Sequence, residues 1–393
     1  MRPALVKGTL LVTSTLTVMS GATISPSLPA IQAYFADVPN ADYWVRLVLT
    51  MPALFIVIGA PIAGVLTDSW GRKGLLTLSV ALYGLAGASG VVLDTLWALL
   101  AGRALLGLAV AGIMTTVTTL FTDYYKGDER AQLLGLQATF MSLGGVLFLS
   151  LGGVLADLSW RFPFLIYLFA FALLPFIAFA LYEPERQTGS GSDAPLSSLP
   201  WRLLSIIYGV ALVMQVVFYT VPVQLPFYLQ QLLSASATQS GLAIAAVTVF
   251  SAIASTFYGK FQKRFGFVVI LVVSLAVMGA GYVVIGAGSS YLVIMTGLAL
   301  GGVGLGLMMP NLNTWLSARV PDQLKGRALG GLTLFFFLGQ FLSPIATQPL
   351  ANEVGLALMY VVAGAALVVL AVLFALLRQP VMRVARAAEG RQS

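Results

Sequence analysis

Long runs without charge constrain this chain more than any other feature. Residues 47–67 contain 21 positions without an acid or a base, and similar stretches recur from one end to the other. Twelve can be drawn, at about 8–36, 47–67, 74–93, 95–122, 131–156, 162–182, 203–233, 239–259, 265–288, 290–318, 326–352 and 354–377. Each approaches or exceeds the ~20 residues that cross a ~30 Å hydrocarbon core. Backbone polar groups in lipid have no water to bond, so unbroken runs of this length must be helices. A membrane β-barrel needs ~10-residue segments of alternating polarity, which are not seen. The expected fold is an all-α membrane protein with twelve transmembrane helices. The first run is too long for a signal peptide, whose apolar core is about 7–15 residues. Pro26 and Pro29 are expected to bend its far end.

The few charges give the orientation. Only 9% of residues are charged, against about 25% in an ordinary soluble domain. The termini and even-numbered connections hold 18 of the 21 Lys and Arg, and the odd-numbered connections only Arg46 and Arg161. The positive-inside rule places both termini in the cytoplasm of a multi-pass plasma (inner) membrane protein. It also accounts for the net charge of +7 without a nucleic-acid partner. The basic tail, 379–393, is expected to lie against anionic lipid headgroups.

Cysteine and histidine are both absent. That removes thiolate chemistry, disulfides, the usual proton shuttle and the commonest metal ligand. No metal, cofactor or enzymatic site is expected, and the short connections leave no room for a soluble catalytic domain.

The longest polar stretch, 183–202, is rich in Gly, Ser and Pro and reads as a flexible linker. It divides the chain into six-helix bundles at 1–182 and 203–378. The halves repeat weakly. Gly64, Asp68 and Gly71 follow the second run, and Gly259, Lys263 and Gly266 follow the eighth at identical spacing. Arg130-Ala131 and Arg327-Ala328 open the fifth and eleventh runs. Transporters are commonly built from such repeats, with the substrate site between them.

Gly64, Asp68, Gly71, Arg72 and Lys73 match a loop motif, G-x-x-x-D-[RK]-x-G-[RK]-[RK], with Ser69 departing from it. On these residues the chain resembles the major facilitator superfamily of secondary transporters. LLAGRALLGLAVAG (99–112) resembles that family's fourth-helix motif around an intramembrane arginine, here Arg103. SWRFPF (159–164) and SPSLPAIQAYF (25–35) resemble its twelve-helix drug:proton antiporter branch. The fifth-helix motif G-P-x-x-G-G is incomplete: Gly152-Gly153 are present, but Phe148-Leu149 stand where Gly-Pro belongs. The resemblance implies two pseudo-symmetric bundles working by alternating access.

It also implies roles for particular residues. Asp68 would accept hydrogen bonds from a helix N-terminus near 326–330 and latch a cytoplasmic gate, assisted by Gly64, Gly71, Arg72, Lys73, Arg130 and Arg327. Lys263, in the repeat, cannot accept hydrogen bonds, so the gate is expected to be asymmetric. Arg103 is the one charge well inside the membrane. It either bonds carbonyls of the fifth helix near Gly144, Gly145 or Gly152, or faces the cavity and attracts an anion. Cavity candidates are Gln32, Tyr34, Gln215, Tyr219, Asn311 and Trp315, with interhelical hydrogen bonding as the equal alternative. All 14 acids fall at helix ends, in connections or in the tail, which leaves Asp37 and Asp157 as weak candidates for ion coupling. The glycine-rich 297–311 run lies in an apolar helix without a Lys-Ser/Thr, so it reads as close helix packing, not phosphate binding.

The expected function is a monomeric secondary transporter exporting small amphiphilic compounds, coupled to protons or another ion. The alternatives are an organic-anion or metabolite uniporter or exchanger centred on Arg103, and a transport-inactive receptor or scaffold.

Overall fold

The computed structural model describes residues 3–184, 199–377 and 379, leaving out the side chains of Pro3, Asp68 and Ala131. The regular elements among the described residues are all helical. In chain order they are α1 (Pro3–Ala22), α2 (Leu28–Tyr34), α3 (Ala41–Trp70), α4 (Arg72–Ala88), α5 (Leu96–Tyr124) and α6 (Gly127–Leu158). There follow α7 (Phe169–Ala180), α8 (Trp201–Phe218), α9 (Thr220–Leu233), α10 (Ala237–Ala287), α11 (Tyr291–Ser317) and α12 (Lys325–Leu376). As Pro26 and Pro29 suggested, the first run breaks, through a 3-10 turn at Ser25–Ser27.

Ten helical runs among the described residues are long and apolar enough to cross a membrane, where the sequence predicts twelve. The difference lies in α10 and α12, of 51 and 52 residues. At a 1.5 Å rise each would extend roughly 75 Å, more than twice a hydrocarbon core. Both are interrupted by a glycine outside helical geometry: Gly266 (φ 72°, ψ 171°) and Gly355 (φ 80°, ψ 162°). Gly71, between α3 and α4, has nearly the same angles (φ 94°, ψ 160°). The Gly71 and Gly266 pair noted in the sequence is thus also a repeat in backbone conformation, one that residues with a Cβ rarely adopt.

Polarity is inverted relative to a water-soluble protein. Large apolar side chains face outward, Phe179 at 83% exposure and Leu292 at 77%, while Thr13, Ser14, Thr50, Gln215 and Gln224 are buried. In α1, Ser14, Thr15, Thr17 and Ser20 donate to carbonyls three residues back, and Thr23 to one four back. Their hydroxyls are thereby satisfied within the helix.

Contacts divide the chain into two units. The first comprises Met1–Gln187 and Pro222–Ala245; the second comprises Thr188–Val221 and Ala246–Ser393. The division departs from the sequence halves at Pro222–Ala245, which packs with the first unit. Within that unit α3 and α4 pack on α5, and α1 packs on α6. A Cβ on Gly107 of α5 would sit 2.4 Å from the Pro52 carbonyl oxygen of α3. In the second unit, α8 packs on α12, and a Cβ on Gly306 of α11 would sit 2.1 Å from the Ser251 carbonyl oxygen. The glycine-rich run is therefore a packing surface: the small residues let helix backbones touch.

Gly107→Val should destabilise the detergent-solubilised protein by about 1–3 kcal/mol through overpacking. Gly209→Ala, where a Cβ meets nothing within 4 Å, should be neutral or stabilise by up to about 1 kcal/mol through helix propensity. Thermal unfolding of the two variants side by side tests the packing account, which equal losses would reject.

Candidate functional site

Arg103 lies seven residues past Leu96, the first residue of α5, and so about 10 Å along the helix. It is 1% exposed. Its Nε donates to the Val48 carbonyl at 3.2 Å, and one terminal nitrogen donates to the Ser20 carbonyl at 2.9 Å and the Tyr167 hydroxyl at 3.0 Å. Local chemistry explains both carbonyls. Pro52 sits inside α3 and has no N–H, so the Val48 carbonyl four residues earlier loses its helical partner. Ser20 is in the last turn of α1, whose carbonyls have no following N–H. A planar, always-charged guanidinium can serve both, which an ammonium cannot do as well. Behind it, Tyr167 and Tyr83 have ring centroids 5.5 Å apart, and the Tyr83 hydroxyl donates to the Leu16 carbonyl of α1 at 2.8 Å.

Arg103 therefore bonds α1 and α3, not the fifth-helix glycines. Gly144 and Gly152, on α6, pack against Thr15 of α1 and Thr23 just past its end instead. The second unit treats its own break similarly. Pro222 leaves the Phe218 carbonyl without a helical donor, and the Tyr282 hydroxyl donates to it at 3.1 Å. Ser343 serves Val216 at 2.7 Å, and Tyr360 serves Thr220 at 3.0 Å.

Arg46 was visible in the sequence only as a base in an odd-numbered connection. It is 4% exposed. Its Nε donates to Gln224 Oε1 at 2.7 Å; one terminal nitrogen donates to Gln32 Oε1 at 3.0 Å and to the Asp42 carbonyl. Its guanidinium lies 4.0 Å from the Phe227 ring centroid, a cation–π contact. One buried arginine thus joins α2, α3 and α9. The available signal was its position: a base at the start of an apolar run, against the charge bias of that side.

Asp157, a coupling candidate in the sequence, is exposed at the end of α6. Its carboxylate accepts from the backbone N–H groups of Ala237 at 2.7 Å and Thr238 at 3.0 Å, and from the Thr238 hydroxyl. It caps the N-terminus of α10, where a negative charge meets free N–H groups and the positive end of the helix dipole. A Cβ on Gly153 would lie 2.8 Å from the Ala237 carbonyl. Pro222–Ala245 is therefore fastened to the first unit by Arg46 on its α9 side and Asp157 on its α10 side. Asp37 is exposed in the connection after α2.

At the α3–α4 turn, Arg72 is buried and its Nε pairs with Asp123 at 3.2 Å. Glu183, which the sequence placed in the linker, accepts from the backbone N–H groups of Arg72 at 2.6 Å and Lys73 at 2.8 Å, capping α4. Lys73 Nζ donates to the Ala178 carbonyl at 2.6 Å. A Cβ on Gly71 would meet the Glu183 carboxylate at 2.8 Å. Gly64 has open space around it, and Arg130 and Arg327 are exposed. The Asp68 side chain lies outside the described residues.

Asn311 donates to the Phe267 carbonyl at 3.0 Å, and Trp315, 1% exposed, stacks on the Phe267 ring with centroids 5.9 Å apart. Gln215 is buried on α8 beneath Gly339 of α12, and Tyr219 is buried at the end of α8. Tyr34 packs beside Phe35 and Trp160 and accepts from Arg161, which pairs with Asp94 at 2.6 Å. No carboxylate among the described side chains is buried.

The family model described as Major Facilitator Superfamily matches residues 10–232 and 207–392. The chain belongs to the Major Facilitator Superfamily. It is 27% identical to the class C tetracycline resistance protein of Escherichia coli, covering 81% of this chain and 83% of that one. It is 22% identical, at the same coverage, to the quinolone resistance protein NorA of Staphylococcus aureus (strain MSSA476). The crystal structure of a D-xylose-proton symporter aligns over 95% of this chain and 97% of that one, with TM-score 0.80 and 15% identity. The human organic anion transporter MFSD10 (TETRAN) aligns over 95% and 100%, with TM-score 0.69 and 17% identity. These two show the fold. Membership in the superfamily makes the chain a multi-pass membrane transporter, not an enzyme.

Two stability predictions follow from the arginines. Arg103→Ala leaves two buried carbonyls unpaired and should cost roughly 2–6 kcal/mol, at about 1–3 kcal/mol each. In a Pro52→Ala background Val48 regains an N–H partner, so the same substitution should cost about 1 kcal/mol less. Strict additivity in thermal unfolding would reject this role for Arg103. Arg46→Lys keeps the charge but not the fork; it should lower the unfolding midpoint and increase alkylation of a cysteine introduced at Val223, a buried position in an otherwise cysteine-free chain. Unchanged alkylation would show that Arg46 does not fasten this segment.

Proposed function

We propose that this transporter exports small amphiphilic, drug-like or metabolic compounds by alternating access. The observation that carries the reading is the likeness, over four-fifths of the chain, to two drug-resistance proteins. The buried polar side chains within the helices support it. They are hydroxyls, the amides Gln215, Gln224, Gln348 and Asn311, and three hydrogen-bonded arginines, Arg46, Arg72 and Arg103. An apolar cavity with a few neutral polar groups suits uncharged or weakly charged amphiphiles. The anion reading loses ground because two of the three Arg103 nitrogens are engaged with backbone carbonyls and Tyr167.

In this reading the interruptions at Gly266 and Gly355 separate paired crossings, giving twelve in all. Both termini are cytoplasmic, the membrane is the plasma membrane and the working unit is a monomer. Asp68 latches the cytoplasmic gate at the α3–α4 turn. Asp157 is engaged in helix capping, so a coupling proton, if there is one, is carried elsewhere.

Reconstituted protein should move a fluorescent amphiphile such as ethidium or rhodamine 6G across proteoliposomes. Absence of movement for these and for tetracycline and norfloxacin would reject the exporter reading. With an imposed pH gradient, transport that ignores the gradient would reject proton antiport.

A further inference from the structure

The first unit contains a cavity of about 510 Å³, within the size range of small-molecule sites. Its walls include Gln32 of α2, Asn40 and Asp42 at the start of α3, and Phe227, Gln230 and Gln231 of α9. We propose that it is a binding site for a small uncharged polyhydroxylated molecule of monosaccharide size.

The chemistry of the wall selects this class. Four side-chain amides converge on one space. Gln32 commits its carbonyl to Arg46, which leaves its NH2 group without a partner among the described residues. Asn40 occupies the N-cap of α3 in left-handed geometry (φ 58°), yet its side chain makes no capping bond, although capping is the usual work of Asn there. The amides of Gln230 and Gln231 make no hydrogen bond among the described residues. Amides offer donors and acceptors together, and a hydroxyl group is both. A polyol can therefore satisfy them in several orientations.

Charge argues the same way. Arg46 is buried, and its guanidinium packs on Phe227 and donates to Gln32. Asp42 is the one formal charge among the residues lining the cavity. An anionic ligand would thus meet a carboxylate with no cation on the cavity wall. An aliphatic hydrocarbon would leave four amides dehydrated and unpaired, at a cost of several hydrogen bonds. The Phe227 ring and Pro29 supply apolar surface for the C–H face of a sugar ring. Because α9 forms one wall and α2 and α3 the other, a bound polyol bridges the parts that Arg46 already joins. Occupancy should therefore hold Pro222–Ala245 against the first unit and slow any motion that separates them. The binding claim stands apart from the cargo and direction of transport.

The test uses the full-length protein in lipid nanodiscs, with methyl β-D-glucopyranoside as probe and tetramethylammonium as the charged control. Saturation-transfer NMR should show transfer to the glucoside ring protons and not to tetramethylammonium. The double variant Gln230→Leu/Gln231→Leu removes two hydrogen-bonding groups and should weaken glucoside affinity on the order of tenfold. Asn40→Gly, which removes the amide and tolerates the left-handed backbone, should weaken it by a smaller factor. These three side chains are exposed, so the variants should unfold at the parent temperature, and that measurement separates lost binding from lost folding. A glucoside that shows no transfer to the parent protein overturns the proposal. So does equal transfer to parent and double variant, which would place the glucoside elsewhere. Transfer to tetramethylammonium without the glucoside would overturn it in favour of a cation site on Asp42.

Discussion

A backbone carbonyl without a donor, in a place water does not reach, is the constraint on which this structure depends. Proline and helix ends create such carbonyls, and lipid gives them no substitute partner. The chain answers with long polar side chains brought from neighbouring helices: Arg103 for Ser20 and Val48, and Tyr282 for Phe218. Each repair crosses from one helix to another. Satisfying the backbone and fixing the positions of helices are therefore the same act. Proline does not simply weaken α3; it creates an attachment point on its surface.

Carboxylates carry out the complementary task at the opposite ends of helices. Free N–H groups at the start of α4 are capped by Glu183, and those at the start of α10 by Asp157. Both acids come from far along the chain, so both caps are tertiary contacts. Glu183 and Asp157 thus sit where helices begin, as the helix dipole favours, and Arg103 sits where α1 ends and α3 is broken by Pro52; Arg46 and Arg72 lie instead near the starts of α3 and α4.

Much of the fold was legible in the sequence because lipid imposes a single length scale and a single secondary structure. Run length identified the helices, and the breaks at Gly266 and Gly355 fall near the ends of predicted runs. The matching spacing of Gly64 and Gly71 with Gly259 and Gly266 marked a repeat, and Gly71 and Gly266 prove to have nearly the same backbone angles. The site was less legible. Arg103 stood out because it is a charge in an apolar run, but its partners depend on Pro52 and the end of α1, which no local pattern connects to α5. Arg46 looked like a loop base because its burial comes from α9, almost 180 residues away. Asn311 and Trp315 share a helix face as predicted, but periodicity cannot say which neighbour that face meets, and here it meets Phe267. Asp157 illustrates the same limit: an acid at a helix end reads as solvated unless the helix start opposite it is known.

The membership of Pro222–Ala245 in the first unit has a consequence for biogenesis. The ribosome completes residues 1–187 well before this segment exists. Until it arrives, Arg46 lacks Gln224 and Phe227, and Asp157 has no helix start to cap. The early part of the chain therefore enters the bilayer with Arg46 held only by Gln32 and the Asp42 carbonyl. The first unit is finished only after translation has moved into the second.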